Sequence, residues 1–335
     1  MVHQTGNMLP MMTDLAASAR VVSLPLRRKF RGIDNREAVL MQGPQGWTEF
    51  SPFLEYDDDE AANWLAAAIE FGWSAPSGVF RVRIPVNATL PAVGPADVAQ
   101  VLDTFAGCRT VKIKVAERGQ TLADDVARVR EARGYLGPMG RIRIDANGRW
   151  NVDEAEHAIH ALAEFDLEYV EQPCASLDEL AEIRQRVKYM GIPIAADESV
   201  RKAKDPLLVA RSGAADVLVL KAQPLGGISA ALDIAAQSKL PVVISSALDT
   251  SIGLAMGAHL AAGLPSLEFD CGLGTAALLA ADVVEHPLLP VAGSIEVTRP
   301  AAAGSLLDAH AADAERTTWW MKRLARCYAV LESRL

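Results

Sequence analysis

The chain has 335 residues, half of them hydrophobic, and a net charge of −9. That length suits one barrel of roughly 200 to 250 residues with an accessory domain, and the acidic balance argues against a surface that tracks nucleic-acid phosphates. Cys108, Cys174, Cys271 and Cys327 are scattered, without zinc-type pairing or the density of a secreted disulfide scaffold, so they read as reduced thiols of a cytoplasmic protein.

No continuous apolar run follows a basic start at the N-terminus, which argues against a signal peptide. Segments 21–24 and 38–42 read as strands joined by the basic turn Arg27-Arg28-Lys29-Phe30-Arg31, and 59–71 reads as a helix, giving an α+β cap. From about residue 81 to 274 strand-like and helix-like segments alternate, the signature of βαβ units and a parallel sheet. The strands are expected at 81–86, 110–115, 141–147, 167–171, 192–197, 215–220, 241–245 and 267–269, eight in all. Between them Leu122, Val126 and Val129, and again Ala155, Ile159 and Leu162, recur at helical spacing; Ser176 followed by Glu179 fits a capping box. The apolar stretch 242–264 is broken by Ser245, Ser246, Asp249, Thr250, Ser251 and His259, so no membrane span is expected. In the Ala-rich tail a helix over 315–331 carries Trp319 and Trp320 as anchors for docking on the N-terminal part. The expected fold class is α/β, a (β/α)8-type TIM barrel over 77–275 with a capping domain built from 1–76 and a C-terminal segment, 276–335, that packs back on it.

Charged residues recur at the ends of these strands: Lys112 and Lys114 in TVKIKVA, Asp145 in RIRIDANG, Glu171 in EYVEQP, Asp197 and Glu198 in IPIAADES, and Lys221 in VLVLKAQP. The steps from 145 to 171 and from 171 to 197 are each 26 residues, and from 197 to 221 the step is 24, about one strand, one helix and two loops. Each motif therefore falls at the same end of its strand, the C-terminal face where barrel enzymes carry their active sites. Period-2 alternation puts Arg143, Asp145 and Asn147 on one face and Ile142, Ile144 and Ala146 on the other. The apolar face must meet the helices, so the charged face looks inward.

Any one of these acids alone reads as a helix cap. Asp145, Glu171 and Asp197 in successive units make a hard oxygen site suited to Mg²⁺, with Mn²⁺ as a substitute. A lysine acting as base near neutral pH needs its pKa lowered from about 10.4 to about 7 to 8, which costs about 4 kcal/mol. Burial, a second lysine and a metal charge work toward that shift, and the carboxylates work against it. A metal with flanking lysines points to removal of a proton α to a carboxylate.

The set K-x-K, D-A-N, E-Q-P, A-D-E-S and the lysine of LKAQPLGG resembles the muconate lactonizing enzyme subgroup of the enolase superfamily. Longer stretches, including GWTEFSPFLEY, IPVNATLPAV, IAADESVRKAKDP and SSALDTSIGLAMGAHLAAGLP, resemble the o-succinylbenzoate synthase family of actinobacterial type; the likeness runs from about residue 24 to 274. The resemblance implies a Mg²⁺-dependent dehydration of 2-succinyl-6-hydroxy-2,4-cyclohexadiene-1-carboxylate, through an enediolate, in menaquinone synthesis. Lys114 would be the acid/base, Lys112 would help to neutralise the enediolate, and Lys221 would stabilise charge from the opposite face. The loop around 27–34 would close over the substrate, with Arg31 among the basic residues facing the succinyl carboxylate. Asn147, Arg143, Ser245, Ser246 and Gln223 are further expected contacts, Arg143 being expected also to pair with a carboxylate, and Glu198 is expected to orient its neighbour or a lysine.

Thr48, where a glycine is expected in GWGEF, and Gln223, where a small apolar residue is expected, depart from the pattern. The partner implied is a small-molecule carboxylate, with neither nucleic acid nor membrane, for a monomer or homo-oligomer. The same motifs would equally serve an N-acylamino-acid racemase or dipeptide epimerase. A barrel that kept its shape as a non-catalytic scaffold would be expected to have lost a ligand or a lysine.

Overall fold

A computed structural model gives the architecture and describes residues 9–75, 78–202 and 205–335. The expected division between 76 and 77 lies outside the described residues. The chain opens with α1 (Met12–Ser18), then an antiparallel meander of β1 (Arg20–Phe30), β2 (Ile33–Gly43) and β3 (Gly46–Phe50), and α2 (Asp58–Trp73). Phe30 pairs with Ile33 across Arg31 and Gly32, both at positive φ, 51° and 82°. That is the backbone a two-residue hairpin of the right twist requires.

The barrel follows. After β4 (Arg83–Pro85) come β5 (Ala88–Leu90), α3 (Val98–Leu102), β6 (Thr110–Lys114), α4 (Leu122–Leu136), β7 (Arg141–Asp145), α5 (Val152–Leu162), β8 (Leu167–Glu171), α6 (Leu177–Val187) and β9 (Ile194–Ala196). Then α7 (Glu198–Arg201), α8 (Leu208–Ser212), β10 (Val217–Leu220), α9 (Ile228–Ser238), β11 (Val242–Ile244) and α10 (Ser251–Gly263) complete the turn. The seven strands β5 to β11 form one parallel sheet in sequence order. Its outward residues, such as Val111, Ile113, Ile142, Ile144 and Leu218, join the helices in the main core, while Tyr169, Ala195, Val217, Val219 and Val243 fill the lower interior. Capping boxes at Thr121, Asn151 and Ser176 start α4, α5 and α6.

Two of the eight expected strands are not barrel strands. The 81–86 segment forms β4, paired antiparallel with β12 (Ser294–Glu296) outside the barrel. Val86 turns its N–H to Gly293 O at 2.9 Å, and the segment meets the curled sheet at its very end, where Cys271 N–H donates to Pro85 O at 2.8 Å and Asn87 N–H to Cys271 O at 2.9 Å. The 267–269 segment is irregular; the curl closes instead through single bridges from Val86 to Cys271 and from Ser245 to Gly272. A Cβ on Gly272 would stand 2.5 Å from Ser245 Oγ, so a side chain there would have to displace that hydroxyl.

The tail, α11 (Gly304–Ala309) and α12 (Ala314–Ser333), returns to the cap. Trp320 is fully buried edge-on to Phe50 at 6.0 Å and gives its indole N–H to Glu37 Oε2 at 2.9 Å. Thr48 is fully buried in the cap: its hydroxyl donates to Ala68 O at 2.8 Å, and its methyl lies against Gly72, where a Cβ would come within 3.0 Å.

Candidate active site

Parallel pairing sets the carboxylates level. Lys114 is opposite Asp145, Asp145 is opposite Glu171, and Glu171 is opposite Ala195, two residues before Asp197. The alternation of each strand then turns all of these side chains into the barrel. Lys112 Nζ donates to Asp145 Oδ2 at 2.9 Å and to Glu171 Oε1 at 2.6 Å. Lys114 Nζ donates to Asp145 Oδ2 and to Asn147 Oδ1, both at 2.6 Å. Across the barrel Lys221 Nζ donates to Asp197 Oδ2 at 2.6 Å. Lys112, Lys114, Asp145, Asn147, Asp197, Lys221, Ser245, Ser246 and Arg31 share the wall of one cavity of about 40 Å³. Glu171 lies beneath it, reached through Lys112, and Glu198 accepts from Asn147 Nδ2 at 3.3 Å at its edge.

Two expected contacts stand off this cavity. Arg143, fully buried, spends its guanidinium on Glu168, Asn87 and Asp270 O and lies over the Tyr169 ring at 4.9 Å, as a plug for the barrel floor. It sits two residues below Asp145, one full pleat too deep. Gln223 donates to Asp249 Oδ1 at 2.9 Å and lines a separate cavity of about 10 Å³ behind Lys221.

Three residues hold the site together that sequence reasoning left without a role. Gln172, at a φ of 41°, accepts from the backbone N–H groups of Asp197 and Ser199 and so ties the end of β8 to the end of β9. Arg201 donates to Asp197 Oδ1 at 3.2 Å, Glu198 Oε1 at 2.8 Å and the Tyr56 hydroxyl at 2.5 Å, joining the acids to the cap. Its spacing of four from Asp197 on a helix was the available signal. Nothing in the sequence marked Tyr56.

Burial pushes the Asp145 carboxyl up, but Lys112 and Lys114 outweigh it and hold the group well below the usual range. Burial likewise opposes ionisation of Asp197, and Lys221 with Arg201 overcomes it. Glu171 goes the other way: burial and then the Asp145 charge raise it to about 7. At Lys112 the balance weighed for the lysines falls to the carboxylates. Burial lowers its proton affinity, yet Asp145 and Glu171 raise it well above the normal lysine value. Lys221 is lowered, chiefly by burial.

Among the described residues no three acidic, imidazole or thiol groups already stand as a closed ligand array. Each carboxylate leans instead on an ammonium of the chain, Lys112 lying between Asp145 and Glu171. The residues nonetheless fit a divalent cation. Three carboxylates project from adjacent strand ends, and Glu171 Oε2 is buried with no hydrogen-bond partner, an oxygen that a hard cation would satisfy.

Residues 21–72 match the model for the family described as Enolase N-terminal domain-like, and 96–328 that for Enolase C-terminal domain-like. The chain is 53% identical over 322 residues to the o-succinylbenzoate synthase of Mycobacterium ulcerans, covering 96% of each chain. It is 56% identical over 285 residues to that of Thermobifida fusca, covering 84% of this chain and 88% of the other. The chain belongs to the o-succinylbenzoate synthase family of the enolase superfamily. The superfamily fold extends to a 2-chloromuconate cycloisomerase from Rhodococcus opacus, 25% identical, at a TM-score of 0.75 over 88% of this chain and 98% of that one. As an o-succinylbenzoate synthase family member the chain carries the superfamily's two-part plan, with the candidate site under a cap tied down by Arg201 and Tyr56. Among the described residues no helix is long and apolar enough to cross a membrane.

Proposed function

We propose that this enzyme is a hydro-lyase, a Mg²⁺-dependent o-succinylbenzoate synthase that dehydrates 2-succinyl-6-hydroxy-2,4-cyclohexadiene-1-carboxylate to o-succinylbenzoate, a step of menaquinone synthesis. One observation carries the reading. Lys114 and Lys221 face the same small cavity from opposite strands, above buried carboxylates, in a chain more than half identical to synthases of that name.

Asp145, Glu171 and Asp197 would hold the cation, which would supply stabilisation for charge gathering on the substrate carboxylate as the α carbon loses its proton. Lys114 takes that proton; Asn147, bonded to its Nζ, fixes the direction in which the amine points. Lys112 keeps a positive charge beside the developing anion, and Lys221 does the same from the far wall. As the carbon–oxygen bond breaks, Lys114 returns the proton to the departing hydroxyl on the same face, water leaves, and the ring becomes aromatic. Both proton transfers pass through one amine, so the elimination is syn.

An ultraviolet assay of the purified protein with Mg²⁺ and the cyclohexadiene substrate is expected to show the aromatic product. Lys114→Ala is expected to lower kcat by at least about 10²-fold, the usual weight of a positioned acid/base. Turnover unchanged by that substitution would remove Lys114 from the mechanism.

A further inference from the structure

The reaction cavity, at about 40 Å³, is far below the roughly 300 Å³ at which ligand pockets begin. It borders a second cavity of about 550 Å³, and the two share Phe30, Arg31, Lys114 and Asn147. Lys114 stands on the boundary, so a molecule reacting at its Nζ extends from one space into the other. Phe30 is the partition, its ring 5.7 Å from Lys114 Nζ at the tip of the β1–β2 hairpin.

The remaining walls differ in charge. Apart from Arg31 and the site's own lysines and aspartates, the small cavity is lined by neutral residues, Ser245 to Leu248, Gly272 and Thr275 among them. The large cavity is lined by six cationic side chains against three carboxylates. Each acid is already engaged: Glu117 with Arg149 at 2.7 Å, Glu198 with Arg201 at 2.8 Å, and Glu55 with Arg31 at 3.7 Å. Lys29, Arg118 and Lys202 have no carboxylate within ion-pair distance among the described residues; Lys29 belongs to the β1–β2 hairpin, whereas Arg118 follows β6 and Lys202 follows α7. Lys202 rests over the Tyr56 ring at 5.2 Å and acts on Glu60 only at longer range. Arg118 and Lys202 both project from the barrel, whose strands also carry Lys114 and Asp197.

We propose that this second cavity receives the remote carboxylate of a dicarboxylate substrate, and that Arg118 and Lys202 select for it. The inference rests on the synthase reading for the identity of that substrate, whose succinyl arm ends in such a group. A carboxylate at the reacting carbon is met by the site's own charges; a second one, several bonds away, finds uncompensated cations only on this side. Selection works through ground-state attraction, since neither residue reaches the reacting atoms, so KM changes and kcat stays.

Two measurements with the full-length protein test it. In the ultraviolet assay, Arg118→Gln and Lys202→Gln are each expected to raise KM for the dicarboxylate about 3- to 20-fold with kcat within about twofold, and to leave KM for the analogue with a primary amide in place of the succinyl carboxylate unchanged. By calorimetry, the same substitutions are expected to weaken binding of o-succinylbenzoate and not of its succinyl amide. Normal turnover with KM and binding indifferent to both substitutions overturns the proposal and leaves the synthase reading standing. Binding that tracks Arg118 and Lys202 without any turnover of the cyclohexadiene supports the dicarboxylate site and sinks the synthase reading.

Discussion

Glu171 is the residue on which the metal proposal can be tried most directly. One of its oxygens takes the Lys112 ammonium and the other is buried and unpartnered, so its carboxylate is half-satisfied. Glu171→Gln keeps the shape and removes the anionic oxygen. Titration of the apo protein with Mg²⁺ by calorimetry should then show affinity reduced at least about 10-fold, while the melting temperature without metal changes little or rises, because a buried group that resists ionisation has been replaced by a neutral one. Mg²⁺ affinity equal to that of the parent would take Glu171 out of the ligand set.

At the scale of elements, the barrel helices are capped partly by the other end of the chain. Gly227 caps α9 with no side chain of its own, and Glu70 on α2 supplies the missing carboxylate, accepting from Ser229 N at 3.0 Å and from its hydroxyl. A carboxylate at a helix N-terminus meets free N–H groups and the positive end of the dipole. The contact is close enough that a Cβ on Gly227 would stand 1.8 Å from Glu70 Oε2, and its φ of 130° is one that side chains rarely adopt. Gly227→Ala should therefore cost about 2 to 4 kcal/mol in chemical denaturation, part backbone strain and part displaced cap. Adding Glu70→Ala removes the clash but not the strain, so the double variant should be more stable than the sum of the two single losses predicts. Strict additivity would mean that the two residues do not meet.

Over the whole molecule, cap and barrel meet at a buried polar knot. Glu49 on β3 accepts from Thr250 N and Gly253 N, each at 3.1 Å, at the start of α10, and Arg36 on β2 donates to Leu248 O at 3.0 Å. Burial and then the neighbouring Asp249 raise the Glu49 carboxyl to about 7, with Arg36, Ser51 and Thr250 pulling the other way. The unfolded chain releases this proton near pH 4.5 and the folded one near 7, so the folded state binds more protons between the two values. Its contribution to stability is whole below pH 4.5, falls as pH climbs to 7, and then levels off, a loss of up to about 3 kcal/mol. Denaturation midpoints measured across that window should decline in the parent and decline less in Glu49→Gln. Equal slopes in both proteins would assign the pH dependence to other groups.

The family motifs and the alternation of charged and apolar residues in β6 and β7 were legible one strand at a time, because a strand's period and a 26-residue repeat are local properties of the chain. So were the capping boxes that begin α4, α5 and α6. Membership of 81–86 and 267–269 in the barrel was not, since the pairing of β4 with β12 and the bridges to Cys271 and Gly272 depend on partners distant in sequence. The same holds within the site. Arg143 and Asp145 share a face, yet depth along the barrel axis makes one a plug and puts the other beside Lys114. Whether Lys112 would be pushed toward neutrality by Lys114 or held charged by Asp145 and Glu171 turned on distances of 2.6 to 2.9 Å that only packing sets. Residue order determined which chemical groups each strand end carries; tertiary structure alone decided which of them touch, because charge interaction and desolvation depend on separation in space.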